Sequence, residues 1–243
     1  MLRTYRADLH VHTCLSPCGD LEMSPHKIAN QAKIKELDIL GICDHNSAEN
    51  TPALMKAAEK FDIRVLPGLE VTSQEEVHIL ALFDKVEPAL ALQDIVYAHL
   101  PGENDERAFG MQVIVNHRGD VLGFNKRLLI GASTLTLEEV VATIHSLNGL
   151  AVASHIDREG FSLIGQLGFI PDRLELDALE ISPRMSFSEA QAKFAPHLPI
   201  ISSSDAHFLN EIGIGTTTFL LQAETLDEIK MAFLNAGGRK IIH

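Results

Sequence analysis

The chain has 243 residues and carries 33 Asp and Glu against 20 Lys and Arg, a formal net charge of −13 with histidine neutral. That acidity argues against a footprint on an extended nucleic-acid duplex, which relies on many basic contacts to phosphates, and leaves room for a small phosphorylated substrate or a short oligonucleotide drawn in by cations. With 46% hydrophobic and 22% charged residues and only three cysteines, the composition excludes a disordered, fibrous or disulfide-framed chain and suits a single domain over residues 1–243.

In chain order, β-rich apolar runs alternate with amphipathic stretches. ADLHVH (7–12) predicts the first strand, and SPHKIANQAKIKEL (24–37) a helix with Ser24 as N-cap and Pro25 at the first helical position. LDILGICD (37–44), IRVLPGLEVT (63–72) and VHILALF (77–83) predict three more strands. The segment from about 87 to 127 contains PGENDER and HRGDVLGFNKR and breaks the alternation, so it reads as an inserted helical segment plus a loop. TLEEVVATIHSLN (136–148) predicts a helix, with Thr136 ahead of an acidic first turn at Glu138 and Glu139. GLAVASH (149–155), ALEIS (178–182), LPIISSSD (198–205) and a late GIGTTTFLL (213–221) complete the strands. Repeated strand-to-helix units imply an α/β fold with a mostly parallel sheet.

The polar residues fall at the ends of these runs. His10 and His12 are two positions apart in a strand, so they project from one face about 6.5–7 Å apart. Asp44 and His45 end the second strand, Glu70 ends the third, and His78 opens the fourth. His155 ends the fifth, Asp205 and His207 end the seventh, and Asp20 lies in the loop after the first. In an α/β barrel such ends open on one mouth. A buried carboxylate is costly unless paired or coordinated, and ILGICDH, VLPGLEV and PIISSSDAH are apolar enough to bury theirs. A metal cluster satisfies all of them together. Imidazole with carboxylate suits zinc, manganese or iron rather than magnesium or calcium. His10, His12, Asp20, His45, Glu70, His78, His155, Asp205 and His207 are too many ligands for one ion. Two or three ions sharing Glu70 as a bridge is the economical arrangement. A single histidine is more often a satisfied structural residue, and His26, His99, His117, His145 and His197 are left in that class.

DLHVHT, CDHN, GLEVTS, EVHIL, ASHIDR and SSDAH, in this order from residue 8 to about 208, resemble the motifs of the PHP (polymerase and histidinol phosphatase) superfamily, in particular its small stand-alone phosphoesterases. The resemblance implies a distorted seven-stranded (βα) barrel of PHP type with up to three metal ions in its mouth. It also implies one metal site from His10, His12, Glu70 and Asp205, a second from Asp20, His45 and His207, and a third from Glu70, His78 and His155. The loop CLSPCGD departs from the pattern. Asp20 is the choice there, with Cys14, Cys18 and Glu22 as weaker substitutes.

The expected activity is metal-dependent hydrolysis of a phosphate ester, with His10, His12, Glu70, His155, Asp205 and His207 at the reacting centre and a cation-activated water as nucleophile. Arg158, Lys126 and Arg127 are candidates for holding phosphoryl oxygens, and Asp44, beside His45, for orienting an imidazole rather than binding metal. A metal-dependent amidohydrolase and a non-catalytic metal-binding module are the alternatives. No apolar run reaches the roughly 20 residues of a membrane span, and the start MLRTYRADLHVHT lacks the features of a signal peptide, so no membrane partner and a cytoplasmic location are expected.

Overall fold

The computed structural model describes residues 1–171, 173–194 and 197–242. Its elements run β1 (Arg3–Val11), α1 (Pro25–Ile34), β2 (Ile39–Ile42), α2 (Thr51–Ala58), β3 (Arg64–Leu66), β4 (Gly68–Thr72), β5 (His78–Leu82), α3 (Val86–Ala98), α4 (Glu106–Phe109), β6 (Val113–Val115), β7 (Val121–Phe124), α5 (Leu137–Ser146), β8 (Leu150–Ala153), α6 (Leu163–Leu167), β9 (Ala178–Ile181), α7 (Phe187–Phe194), β10 (Ile200–Ser202), β11 (Thr217–Leu221), α8 (Leu226–Phe233) and β12 (Lys240–Ile242). Thr136 caps α5 through a reciprocal pair with Glu139. Ser24 stands at the N-cap of α1 without a side-chain cap bond.

The ladders form two five-stranded sheets, β12-β11-β1-β2-β3 and β10-β9-β8-β5-β4, and a separate hairpin, β6-β7. The neighbours β1, β2 and β3 are parallel, as are β8, β9 and β10, whereas β5 is antiparallel to both β4 and β8. The sheets meet at two single bridges, Val11 with Ala206 and His45 with Glu70. The mixed α/β fold is therefore as expected, but hydrogen bonding does not run continuously round a seven-stranded barrel. Pro67 is one reason. It lacks the N–H that would carry the ladder onward, so IRVLPGLEVT divides into β3 in one sheet and β4 in the other.

Both faces of the central strands are covered, and the period of two sorts their side chains. Ile79 and Ala81 of β5, with Ala151 and Ala153 of β8, pack under α3 and α5. Leu80 and Leu82, with Leu150 and Val152, join Leu9, Ala178, Ile201 and Phe219 in an inner core. A third cluster sets α1 and α2 against Val11, Leu40 and Ile42. Among the described residues no helix is long and apolar enough to cross a membrane.

The segment 87–127 departs from expectation. After α3 it forms the short α4 and then the hairpin β6-β7 rather than a loop. In β7 both Val121 and Leu122 are exposed, so the alternation that signals a strand is missing; the pairing comes from its neighbour β6.

Gly41 marks the closest backbone approach between β1 and β2. A Cβ there would lie 2.3 Å from the Leu9 carbonyl oxygen. Gly41→Ala is expected to cost on the order of 1–3 kcal/mol through forced strand separation, read as a lower Tm in thermal denaturation.

Candidate metal centre

Leu69 and Val71 of β4 face the helices, so alternation turns Glu70 between them toward the interior, where it is 1% exposed. Its oxygens lie 3.0 Å from Nδ1 of both His45 and His78, 3.4 Å from Nε2 of His10 and of His155, and 3.6 Å from His12 Nε2. Across the cluster, Asp205 Oδ1 is 3.0 Å from His12 Nε2 and 3.3 Å from His10 Nε2. The His207 ring stacks on His12 with centroids 4.1 Å apart. The structure thus brings together His10, His12, His45, Glu70, His78, His155, Asp205 and His207. His78 arrives there from the start of its strand because β5 runs in reverse, and its imidazole is held flat against Phe161 at 4.9 Å. His155, Phe161 and Asp205 all have positive φ, a strained backbone conformation that persists where surrounding structure fixes it.

The orientation of the paired histidines is set from behind. His10 Nδ1 donates to Glu180 Oε1 at 3.0 Å. Ser16 Oγ donates to Asp44 Oδ1 at 2.8 Å and accepts from His12 Nδ1 at 2.8 Å. Both Nδ1 atoms then carry a ring proton, and the Nε2 atoms of His10 and His12 face each other 3.0 Å apart. Burial opposes charge on His10, but Glu180, Asp205 and Glu70 hold it well above the ordinary imidazole value, so without a metal its Nε2 is a proton site that a cation can take over. Both oxygens of Glu70, Nδ1 of His45, His78 and His155, and Glu180 Oε2 are also buried without a hydrogen bond. Orphaned donors and acceptors of this kind are costly in a dry site, and imidazole with carboxylate is the donor set that divalent zinc, manganese or iron would take up. Three groups have ligand atoms mutually within 4.8 Å: His10, His12 and Asp205; His12, His45 and His207; and His45, Glu70 and His78.

Burial alone would push the Glu70 carboxyl up, but His78, His10 and His45 outweigh it and hold it well below the usual range. Burial likewise opposes ionisation of Asp205, and His10 and His12 overcome it. Burial, with His207 and His45 nearby, keeps His12 well below the ordinary imidazole value.

Three expectations change. Asp20 belongs to none of the three groups, and its Oδ1 accepts the Glu22 N–H at 2.7 Å in a local Asx turn. Cys18, two residues earlier and exposed, borders a cavity with His207 and Asp205. Partial desolvation of its sulfur works the other way, but His207 and His45 bring the thiol down to about 6. Asp44 reaches the imidazole of His12 through Ser16, and it also binds the Thr13 N–H and hydroxyl. Lys126 pairs with Glu106 on the surface, and the Arg127 guanidinium lies 4.0 Å over the Tyr97 ring, so neither lines the mouth. Arg158 does: it reaches Asp205 Oδ2 and borders a cavity of about 390 Å³ with His45, Glu70, His155 and Phe161. Glu180 was missed from sequence. The signal was there, a lone carboxylate in the apolar ALEIS, on the same face of β9 as inward Ala178.

The family model described as PHP domain matches residues 8–159, and one described as PHP-associated matches residues 195–236. A 5'-3' exoribonuclease of Haemophilus influenzae is 23% identical over 192 residues, covering 63% of this chain and 69% of that protein. The lesion-specific endonuclease PfuEndoQ of Pyrococcus furiosus superposes with a TM-score of 0.72 at 21% identity. The match covers 98% of this chain, which spans only 58% of that one. Endonuclease Q has also been seen in complex with a 27-mer duplex bearing an abasic lesion. An amidohydrolase of Chromobacterium violaceum superposes with a TM-score of 0.57 at 20% identity, over 86% of this chain and 90% of its own. At these identities the superpositions speak to the fold.

Because Glu180 fixes the tautomer of His10, Glu180→Gln is expected to lower metal affinity by about 10–100-fold while leaving the circular dichroism spectrum unchanged. Titration against a competing chelator measures it.

Proposed function

Since the chain belongs to the PHP domain family, we propose that it is a metal-dependent phosphoesterase acting on a phosphomonoester or the end of a short oligonucleotide, in a centre holding two or three divalent cations. The observation that carries this reading is Glu70, a buried carboxylate ringed by five imidazoles and faced by Asp205. The residues group as His10, His12, Glu70 and Asp205 for one ion, His45 and His207 for a second, and Glu70, His78 and His155 for a third, with Glu70 shared. When bound, such cations polarise phosphoryl oxygens and lower the pKa of a water molecule.

The chain's own residues prepare that chemistry. Glu180 and the Ser16–Asp44 pair lock His10 and His12 with their Nε2 atoms inward, so little reorganisation accompanies binding. Arg158 presents a planar fork beside Asp205, matched to the non-bridging oxygens of a phosphate. Phe161 covers the outer face of His78 and narrows access to the cavity. The net charge of −13 favours short, cation-bridged substrates over an extended duplex. Residues 1–243 act as one unit in this reading, because β11 of the PHP-associated segment pairs with β1.

Dialysis against a chelator is expected to abolish hydrolysis of an aryl phosphate and of mononucleotides, with recovery on adding manganese or zinc. Metal bound at two or three per chain without turnover on any phosphoester would point to a binding module, and turnover of amides alone to an amidohydrolase. Arg158→Ala is expected to lower kcat/KM by roughly 10–100-fold, the worth of a hydrogen bond to a charged group, chiefly through KM.

A further inference from the structure

The three cysteines stand in different relations to the centre. Cys14 lies buried with its thiol 3.8 Å from the Val113 carbonyl, and Cys43 with its thiol 3.5 Å from that of Leu9. Cys18 alone faces the cluster. It is exposed, interacts with His45 and His207, and borders a second cavity with Arg158, Asp205 and His207.

The two imidazoles it meets are prepared for a cation. His207 Nδ1 lies 2.8 Å from the Asp205 carbonyl oxygen. A carbonyl only accepts, so Nδ1 carries the proton and Nε2 is left as a bare lone pair. His45 is 5% exposed, and its Nδ1 faces Glu70 at 3.0 Å. Ligand nitrogens of His45, His207 and His12 lie within 4.8 Å of one another. The acidic residue expected to join them, Asp20, is in none of the groups of close ligand atoms; its Oδ1 accepts the Glu22 N–H and its own N–H donates to the His207 carbonyl at 2.9 Å.

We infer that Cys18 is the anionic ligand of the ion held by His45 and His207, giving this centre one sulfur-containing metal position. The inference rests on the metal-centre reading above. On binding, the thiol proton passes to solvent, a sulfur–cation bond replaces the contact with the imidazoles, and nothing is oxidised or reduced. A thiolate with two imidazoles is a softer set than carboxylate with two imidazoles. This position therefore takes zinc, iron(II) or cobalt(II) in preference to manganese or magnesium.

The test is to reconstitute the metal-free full chain with cobalt(II) and record bound metal and near-ultraviolet absorption together. Wild type is expected to show a thiolate-to-cobalt charge-transfer band that persists in Cys14→Ser and vanishes in Cys18→Ser. Cys18→Asp is expected to bind metal at the wild-type stoichiometry without the band, with its preference moved toward manganese. Cobalt bound at two or three per chain with no band in wild type overturns the inference and leaves the metal centre standing. A band that survives Cys18→Ser also overturns it. No cobalt bound at all overturns both. Because the decisive reading is made on wild type, poor folding of a variant does not blunt the test.

Discussion

The burial of the Glu70 carboxylate is the constraint on which the rest of the molecule depends. A side chain 1% exposed in the interior of an α/β fold would be uncharged or unstable without compensation. Here compensation comes from five imidazoles delivered by four other segments: the end of β1, the turn after β2, the start of β5 and the turn after β8. Each of those imidazoles needs a strand end at the same mouth. The topology of the molecule is in that sense a solution to one electrostatic problem.

Two departures from a regular parallel barrel supply the solution. Pro67 ends one sheet and lets β4 begin the other, which places Glu70 beside His45 across a single bridge. The reversal of β5 then allows Glu70 and His78 to be joined by a short hairpin, so adjacent stretches of chain contribute facing groups. Behind the first ring of side chains stands a second, Glu180 and the Ser16–Asp44 pair, which decides where the ring protons of His10 and His12 reside. Such partners convert a collection of histidines into a set of aligned ligand atoms.

Much of the centre was legible in the sequence because its residues lie at the ends of apolar runs, where a polar residue is conspicuous: His10 and His12 in ADLHVH, Glu70 in VLPGLEV, Asp205 in PIISSSDAH. What was not legible depends on loop conformation and on contacts between distant segments. The choice between Asp20 and Cys18 turns on how the loop 13–20 is folded, and spacing alone does not reveal it. Which imidazole Asp44 orients is set by Ser16, whose hydroxyl reaches across to His12. The β6-β7 hairpin carries no alternation because much of it faces solvent, and Lys126 and Arg127 at its far end turned out to serve Glu106 and Tyr97. Glu180 was readable in principle, since a carboxylate inside ALEIS poses the same question as the one inside GLEVT.

The contacts that build the centre also differ in how far along the chain they reach. Glu70 and His78 are close in sequence, and a hairpin of that kind forms on a local timescale with little loop-closure entropy. His12 meets Asp205 across 193 positions, at the seam where Val11 bridges Ala206. That meeting requires β1 to find a segment made nearly a whole chain later, and contacts of such long range are slow to form. Only the Glu70–His78 pair is local, and the site is finished only when the first and last thirds of the polypeptide have closed on each other. A cation held by both halves would act as a clasp on the whole ring, adding its binding free energy to chains that have completed folding and withholding it from those that have not.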